Sequence, residues 1–484
     1  MLASRLREAA NSLEPQQHQQ QQQQRQQRIE PGKTKRCKVD RGKVGKGMDF
    51  GAYQQRYVAL ELLYLGHAYG GFARQDTTEE TIEGHLFAAL RTARMVPPGA
   101  SWQEMRYSRG GRTDKGVSAL GQVVALLLRS SGRVGEAVPE PEAEFDYPAL
   151  LNRVLPNDIR VLGWADVDDE FSARFSAQYR EYKYLIAYRP PQAPAAADTP
   201  MLEAGVSGNG AGMQEQAGAA DAGPAAGGQA AGQAAGQAAP VGQALDVAAM
   251  QEAAAAFVGE HDFRHFCKAD ITAVTNHRRR ILEFRVDEVS DCLLGERRLL
   301  QLHIRGTAFL WHQVRCMASV LLMVGRGEEQ PSIVQTLLDL ERSPRKPQYS
   351  RASEEPLLLY SCTYDGLRFR RTPQNYRAVQ GVLEDALSSH LIRAGTIHSI
   401  QQRLAADPAH DAPGNSGNGN PMAAKAAAGT TQWAAKHTPL MLRPMEPTME
   451  ERIAKLAAAR QGQRERGSAG GETAQPEAGV AAKA

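Results

Sequence analysis

The feature that most constrains this chain is an interruption. From Pro190 to about Gly242 the sequence is dominated by Ala, Gly, Gln and Pro, with GGQAAGQAAGQAA at its centre. Such a stretch has no periodic apolar face to bury, and it reads as an inserted disordered linker. Packed structure must therefore come from two separate blocks, one on each side. The chain has 484 residues, enough for two lobes, and its 42% hydrophobic content is low enough that part of it should stay unpacked. The Gln-rich tract Pro15–Arg28 and the Ala-, Gly- and Pro-rich sequence beyond about Ala405 fit that expectation. The organisation read here is a tail over 1–56, a first lobe over 57–189, the linker over 190–244, a second lobe over 245–366, a partly helical extension over 367–404 and a mostly disordered tail over 405–484.

In the first block, RYVALELLYLG reads as a mostly buried strand. TTEETIEGHLFAALRTARMV follows as a helix with a capping box, Thr77 with Glu80, and a stripe of Ile82, Leu86, Ala89 and Leu90. GQVVALLL, Gly121 to Leu128, is a continuous apolar strand. DYPALLNRVLP is a short helix capped by Asp146, and QYREYKYLIAY alternates so that Tyr182, Tyr184, Ile186 and Tyr188 share one face. The second block opens with a helix capped by Asp246 whose apolar face carries Met250, Ala253, Ala254 and Phe257. ILEFRVDEV and LLQLHIRG alternate with period two and form a hairpin. FLWHQVRCMASVLLMVGRG reads as one helix with Leu310, Val314, Met317, Leu321 and Val324 inward and Gly325 as its stop; PLLLYSCTY is a last strand, and TMEERIAKLAAAR is helical. Strands and helices mixed in both blocks give an α+β fold rather than a doubly wound parallel sheet.

The formal net charge is only +3, so any basic surface must come from local clustering. Two clusters stand out. KTKRCKVDRGKVGKG is a solvated linker, a nucleic-acid arm or a nuclear import signal; Arg278, Arg279 and Arg280 are RNA contacts or a solvated strand edge. Five widely spaced cysteines offer neither a disulfide framework nor a zinc site, which suits a reducing compartment. No apolar run reaches membrane-spanning length. The start MLASRLREAANSLE has some transit-peptide character, but Glu8 and Glu14 oppose that reading. The expected location is the nucleus, the cytoplasm or both, with organelle import left open.

The stretch YSRGGRTDKGVSA places one acid, Asp114, among Arg109, Arg112 and Lys115, between glycines. It lacks the G-K-[ST] ending of a phosphate loop, and a strand rather than a helix follows it, which excludes a dinucleotide fingerprint. Taken alone it is a catalytic acid or a charged turn, with glycines that let backbone approach something large. Two other stretches bear on it. FSARFSAQYREYKY gathers Arg174, Arg180 and Tyr182. Arg315 lies among core positions, one turn after Trp311, where it needs a carboxylate partner or must snorkel to solvent. His265 and His312 have no ligand partners at metal spacing and read as packing or surface residues; Phe309 and Trp311 read as core.

GRTDKGVSA, FSARFSAQYREYKY and AFLWHQVRCMASVLLMVGRG, in this order, resemble the three motif blocks of the TruA family of tRNA pseudouridine synthases. The resemblance spans about Tyr57 to Asp365 apart from the linker. GRTDKGVSALGQVVALLLRS and the later HTPL and MEERIAKL look most like the eukaryotic branch that modifies the anticodon stem-loop at positions 38 and 39. That branch often has Cys where Gly110 stands here, and bacterial members lack the Cys as well. The resemblance implies two ferredoxin-like (RRM-like) lobes whose sheets join into one mainly antiparallel sheet, with flanking helices and a central basic cleft. It implies Asp114 as the catalytic residue, Arg315 as its partner, Tyr182 stacked on the target base and Arg112 helping to extrude the nucleotide. Arg109, Lys115, Arg174 and Arg180 are expected to bind the RNA. The implied reaction is a redox-neutral isomerisation that calls for no metal or cofactor, and the implied partner is tRNA, with no membrane. Bacterial members are homodimers, which leaves a homodimer open here. Two rivals stand beside this reading: a synthase with another RNA target, and a member of the fold that binds RNA without catalysis.

Overall fold

The computed structural model describes residues 48–75, 78–188, 244–269, 274, 276–294, 297–406 and 437–469. The Gln-rich tract, the basic cluster Lys33–Lys46, the linker at 190–242 and most of the last tail lie outside them, as does Thr77.

Among the described residues, nine strands form one mixed sheet. They are β1 (Tyr53–Tyr64), β2 (Ser108–Arg109), β3 (Ser118–Arg133), β4 (Ile159–Asp166), β5 (Ala177–Tyr188), β6 (Gly259–Asp262), β7 (Arg278–Leu294), β8 (Arg297–Gly306) and β9 (Leu357–Tyr364). Their order is β4-β1-β3-β9-β5-β8-β7-β6, with β2 paired to β3. Every pairing is antiparallel except the short parallel contact of β3 with β9, Ser118 opposite Leu358 and Ala119 opposite Leu359. The first strand begins at Tyr53, three residues ahead of the expected RYVALELLYLG. The helices are α1 (Ile82–Thr92), α2 (Tyr147–Asn152), α3 (Val247–Ala255), α4 (Gln313–Gly325), α5 (Ile333–Leu338), α6 (Pro373–Ala405) and α7 (Met449–Ala469).

The strand order exchanges the two halves of the sequence. β9, the last strand, lies between β3 and β5, and β5 pairs on its other side with β8. Tyr184, Ile186 and Tyr188 of β5 are accordingly buried in one apolar cluster with α3, α4 and α5. Leu359, Cys362 and Tyr364 of β9 are buried in the other, with β1, α1 and β3. Tyr182 packs against both clusters.

The caps follow the sequence with one correction. Asp146 and Asp246 accept from the backbone N–H groups of Ala149 and Ala249, as their positions predict. The cap of α1 is Thr81, which accepts from Gly84, and not the expected Thr77–Glu80 box. The FLWHQVR stretch is corrected more deeply. His312 takes φ +61, a left-handed conformation that α-helix cannot continue through, so α4 starts only at Gln313. Leu310–Gln313 forms a turn, the Gln313 N–H donating to the Leu310 carbonyl, and Arg315 lies in the first helical turn rather than mid-helix.

A strap from the distal end of the chain closes the cluster built on α3, α4 and α5. Leu440 is fully buried there, and its N–H donates to Glu329. The strap then pairs along 346–348: the Gln348 N–H donates to the Pro444 carbonyl at 2.9 Å and the Glu446 N–H to the Lys346 carbonyl at 2.8 Å. Burying a leucine contributes about 1.5–3 kcal/mol toward holding the strap in place.

Candidate active site

Asp114 sits in the loop between β2 and β3, and that loop is fixed from below. Gln122 of β3 accepts from the Gly111 N–H at 3.2 Å and donates to the Gly111 carbonyl at 2.8 Å. The buried Tyr64 hydroxyl bonds Thr113 Oγ1 at 2.8 Å, and the Phe72 N–H donates to the Thr113 carbonyl. Gly116 takes φ +81, which turns the chain into β3. Gly110 has a packing reason: a Cβ there would lie about 3 Å from Gln122 Oε1, Tyr364 Oη and Cys362 Sγ. Of the motif's glycines, only Gly111 has open space beside it.

The second half of the chain supplies what surrounds the carboxylate. Trp311 Nε1 donates to Asp114 Oδ1 at 3.2 Å. His312 Nε2 lies 3.1 Å from Oδ2, and Arg315 Nη1 lies 3.5 Å from the same oxygen. Arg315 is only 4% exposed, and its remaining donors are taken: Nε donates to the Ala352 carbonyl at 2.8 Å and Nη2 to Glu354 at 2.7 Å. Asp114 itself keeps 27% of its side chain exposed. Burial alone would raise its pKa. The hydrogen bonds from His312 and Trp311 and the charge of Arg315 outweigh burial and hold the carboxyl below its ordinary value. The group is therefore ionised at neutral pH with part of its surface open to a reactant.

Tyr182 stands beside this group. Its ring meets Phe309 edge-on at 4.9 Å, and burial pushes its phenol well above the ordinary range, the nearby Asp114 charge adding to the effect. The phenol stays neutral, so the ring is available as a flat apolar wall.

The other cations read from the sequence divide into two groups. Arg112 and Lys115 are exposed, and neither makes a hydrogen bond or ion pair among the described residues. Arg174 is exposed and lies over the ring of Phe175. Arg109 and Arg180 are engaged inside the protein instead. Arg109 pairs with Glu83, which is 1% exposed. Arg180 donates to the carbonyls of Gly110, Arg174 and Thr307, which ties the Asp114 loop to β5 and β8. Arg278 pairs with Glu260, and β7 lies between β6 and β8, so Arg278–Arg280 are not on an edge strand.

Trp311, His312 and Glu354 belong to the site although sequence reasoning passed over them. Trp311 is 46% exposed rather than core, with Lys268 Nζ 4.1 Å from its ring. His312 is turned onto Asp114 by its left-handed backbone. His265, in contrast, is a packed core residue bonded to the Leu337 carbonyl. The described residues hold no group of three His, Cys, Asp or Glu arranged to bind a metal, and no helix among them is long and apolar enough to cross a membrane.

Known proteins are similar to this chain in sequence. The family model described as tRNA pseudouridine synthase matches residues 253–365. The tRNA pseudouridine(38/39) synthase of Bos taurus is 36% identical over 439 residues, covering 85% of this chain and 79% of that protein. Its Saccharomyces cerevisiae namesake is 31% identical, covering 79% and 74%. The tRNA pseudouridine synthase A of Methanoculleus marisnigri is 29% identical, covering 73% and 96%. With identity at this level over most of both chains, this protein belongs to the TruA family of tRNA pseudouridine synthases.

Proposed function

We propose that this chain isomerises uridine to pseudouridine in the anticodon stem-loop of tRNA, at positions 38 and 39, in the nucleus or cytoplasm. The observation that carries the chemistry is the Asp114 carboxylate, ionised and still partly open, held by Trp311 and His312 and by the charge of Arg315, all from a distant stretch of sequence. The eukaryotic relatives named for positions 38 and 39 support the target.

The reaction breaks the uridine N1–C1′ bond, turns the detached base and forms a C5–C1′ bond. C5 loses a proton and N1 gains one, so the reaction leaves composition and oxidation state unchanged. Asp114 either attacks C1′ or takes the 2′ proton; both need an unprotonated carboxylate with an exposed lone pair. Arg315 supplies the balancing charge, and Glu354 neutralises what remains of it. The target base has to leave its stack, which costs a few kcal/mol. Stacking on Tyr182 returns about 1–3 kcal/mol of that. Arg112 is free to enter the gap left by the flipped nucleotide, while Lys115 and Arg174 are placed to meet phosphates. In this reading 57–189 and 245–366 are ferredoxin-like lobes whose sheets join, and the RNA lies in a cleft over the join.

Pseudouridine mapping tests the proposal. Unmodified tRNA transcripts are incubated with wild-type protein and with Asp114→Ala, and carbodiimide-adduct stops locate the product. The expected result is stops at positions 38 and 39 with wild type only. Stops elsewhere would discard the target, and product from Asp114→Ala would discard the catalytic residue. Tight tRNA binding by both proteins without any stop would point to an RNA-binding protein.

A further inference from the structure

We propose that His312 is a positioning residue for Asp114, fixing which carboxylate oxygen is offered to the substrate. The inference rests on the reading of Asp114 as the catalytic group. His312 Nε2 is 3.1 Å from Oδ2, and its ring is 6% exposed, so it approaches the carboxylate from the protein side. An ionised carboxylate only accepts hydrogen bonds, so Nε2 carries the proton. Nδ1 is buried and has no hydrogen-bond partner among the described residues. A histidine packed as a core group, or placed to pass a proton to solvent, would have a second partner. Among the described residues this ring has one polar contact, and it is Asp114.

The arginine does a different job. Arg315 Nη1 is 3.5 Å from Oδ2, beyond a good hydrogen bond, while its Nε and Nη2 are taken by Ala352 and Glu354. It therefore supplies charge, and the short directional contacts come from His312 on one oxygen and Trp311 on the other. The backbone agrees: a non-glycine residue at φ +61 is held there against a steric cost, and such positions persist where the surroundings require them. A right-handed residue 312 would extend α4 backwards and re-aim the ring. The charged and titratable groups around the pair are Arg315 with Glu354 behind it, Tyr182 from β5, Arg112 and Lys115 in the Asp114 loop, and Lys268 beyond the Trp311 ring.

The test compares His312→Gln with His312→Met in the full chain. The two replacements have the same length and meet the same left-handed backbone, so strain cancels between them; only Gln keeps a donor. Thermal unfolding and tRNA affinity are measured first, to confirm that both variants fold and bind. The expected result for His312→Met is a kcat lower by about ten- to a hundredfold. Its KM for tRNA stays at the wild-type value, and the acid limb of kcat/KM moves to higher pH. His312→Gln keeps the limb close to wild type and recovers most of the lost kcat. A 13C titration of the Asp114 carboxyl reads the same bond without turnover, and its midpoint should rise by about one pH unit in His312→Met. An unmoved midpoint and limb in His312→Met would overturn the proposal, as would an equal loss in Gln and Met. A wild-type protein that makes no pseudouridine would instead sink the functional reading, and the carboxyl titration would still decide whether His312 holds Asp114.

Discussion

Glu83 and Asp114 are both carboxylates held by an arginine, and they end in opposite states. Glu83 is enclosed: Arg109 and the Tyr107 hydroxyl meet Oε1, the Arg74 N–H meets Oε2, and almost no surface remains. All three donors come from the same half of the chain. Asp114 has as many partners, but they come from residues 311–315 across the sheet, and over a quarter of the side chain stays open. Arg109 and Asp114 are only five residues apart. A charged pair inside a protein is thus no mark of catalysis by itself; what separates the two sites is the face left uncovered.

That contrast can be broken by experiment. The largest effect is expected from Asp114→Ala, with turnover reduced by about 10⁴-fold or more, while tRNA affinity and the melting temperature stay near wild type. A loss of folding instead would make Asp114 a second Glu83. Arg109→Ala should give the reverse pattern. It strands a buried carboxylate and should cost about 3–5 kcal/mol in urea unfolding, with kcat per folded molecule retained. A fall in kcat with intact stability would place Arg109 in the RNA path after all. Arg315→Lys keeps a charge but loses the fork that reaches Asp114, Ala352 and Glu354 together, and a kcat decrease of about ten- to a hundredfold is expected.

pH sharpens the same comparison. The folded-state pKa of Asp114 lies below the ordinary value of about 3.9, so its ionised form stabilises the protein above that value. This stability is lost only as pH falls through the depressed pKa. Between pH 7 and 5, kcat/KM should therefore show no loss from this group; a limb with a midpoint above 5 would contradict the assigned environment. The smallest effect is expected from replacing residues 194–242 with a short Gly-Ser linker, which should change turnover by less than about twofold. A larger loss would show that the low-complexity stretch takes part in one of the two sites.

Much of the framework was legible in the sequence because it is periodic. Period two along Tyr182–Tyr188 and the apolar run Gly121–Leu128 specify strands, and Asp114 and Arg315 stand out as charges where apolar neighbours dominate. The missing parts are those that periodicity cannot carry. Leu310 continues the stripe of α4, so the helix reads as starting before it, and no side-chain pattern announces a left-handed histidine at 312. Glu354 lies in a stretch of no regular structure. Arg109 lies within the Asp114 motif and Arg180 within the second motif block, but whether a cation meets phosphate, carboxylate or carbonyl depends on residues tens of positions away. The exchange of β5 and β9 between the two clusters was equally hidden, because each strand's own sequence fits either side.

The strap around Leu440 bears on how the protein is made. It pairs with residues 346–348, and the chain leading from there supplies Ser350 to Ser319 and Ala352 and Glu354 to Arg315. The stretch that braces Arg315 is therefore continuous with one paired to a segment that leaves the ribosome more than a hundred residues after Arg315 itself. The surroundings of the site are thus completed late in synthesis, and a chain truncated between Ala406 and Leu440 would keep Asp114, Tyr182 and Arg315 but lack the strap that pairs with 346–348.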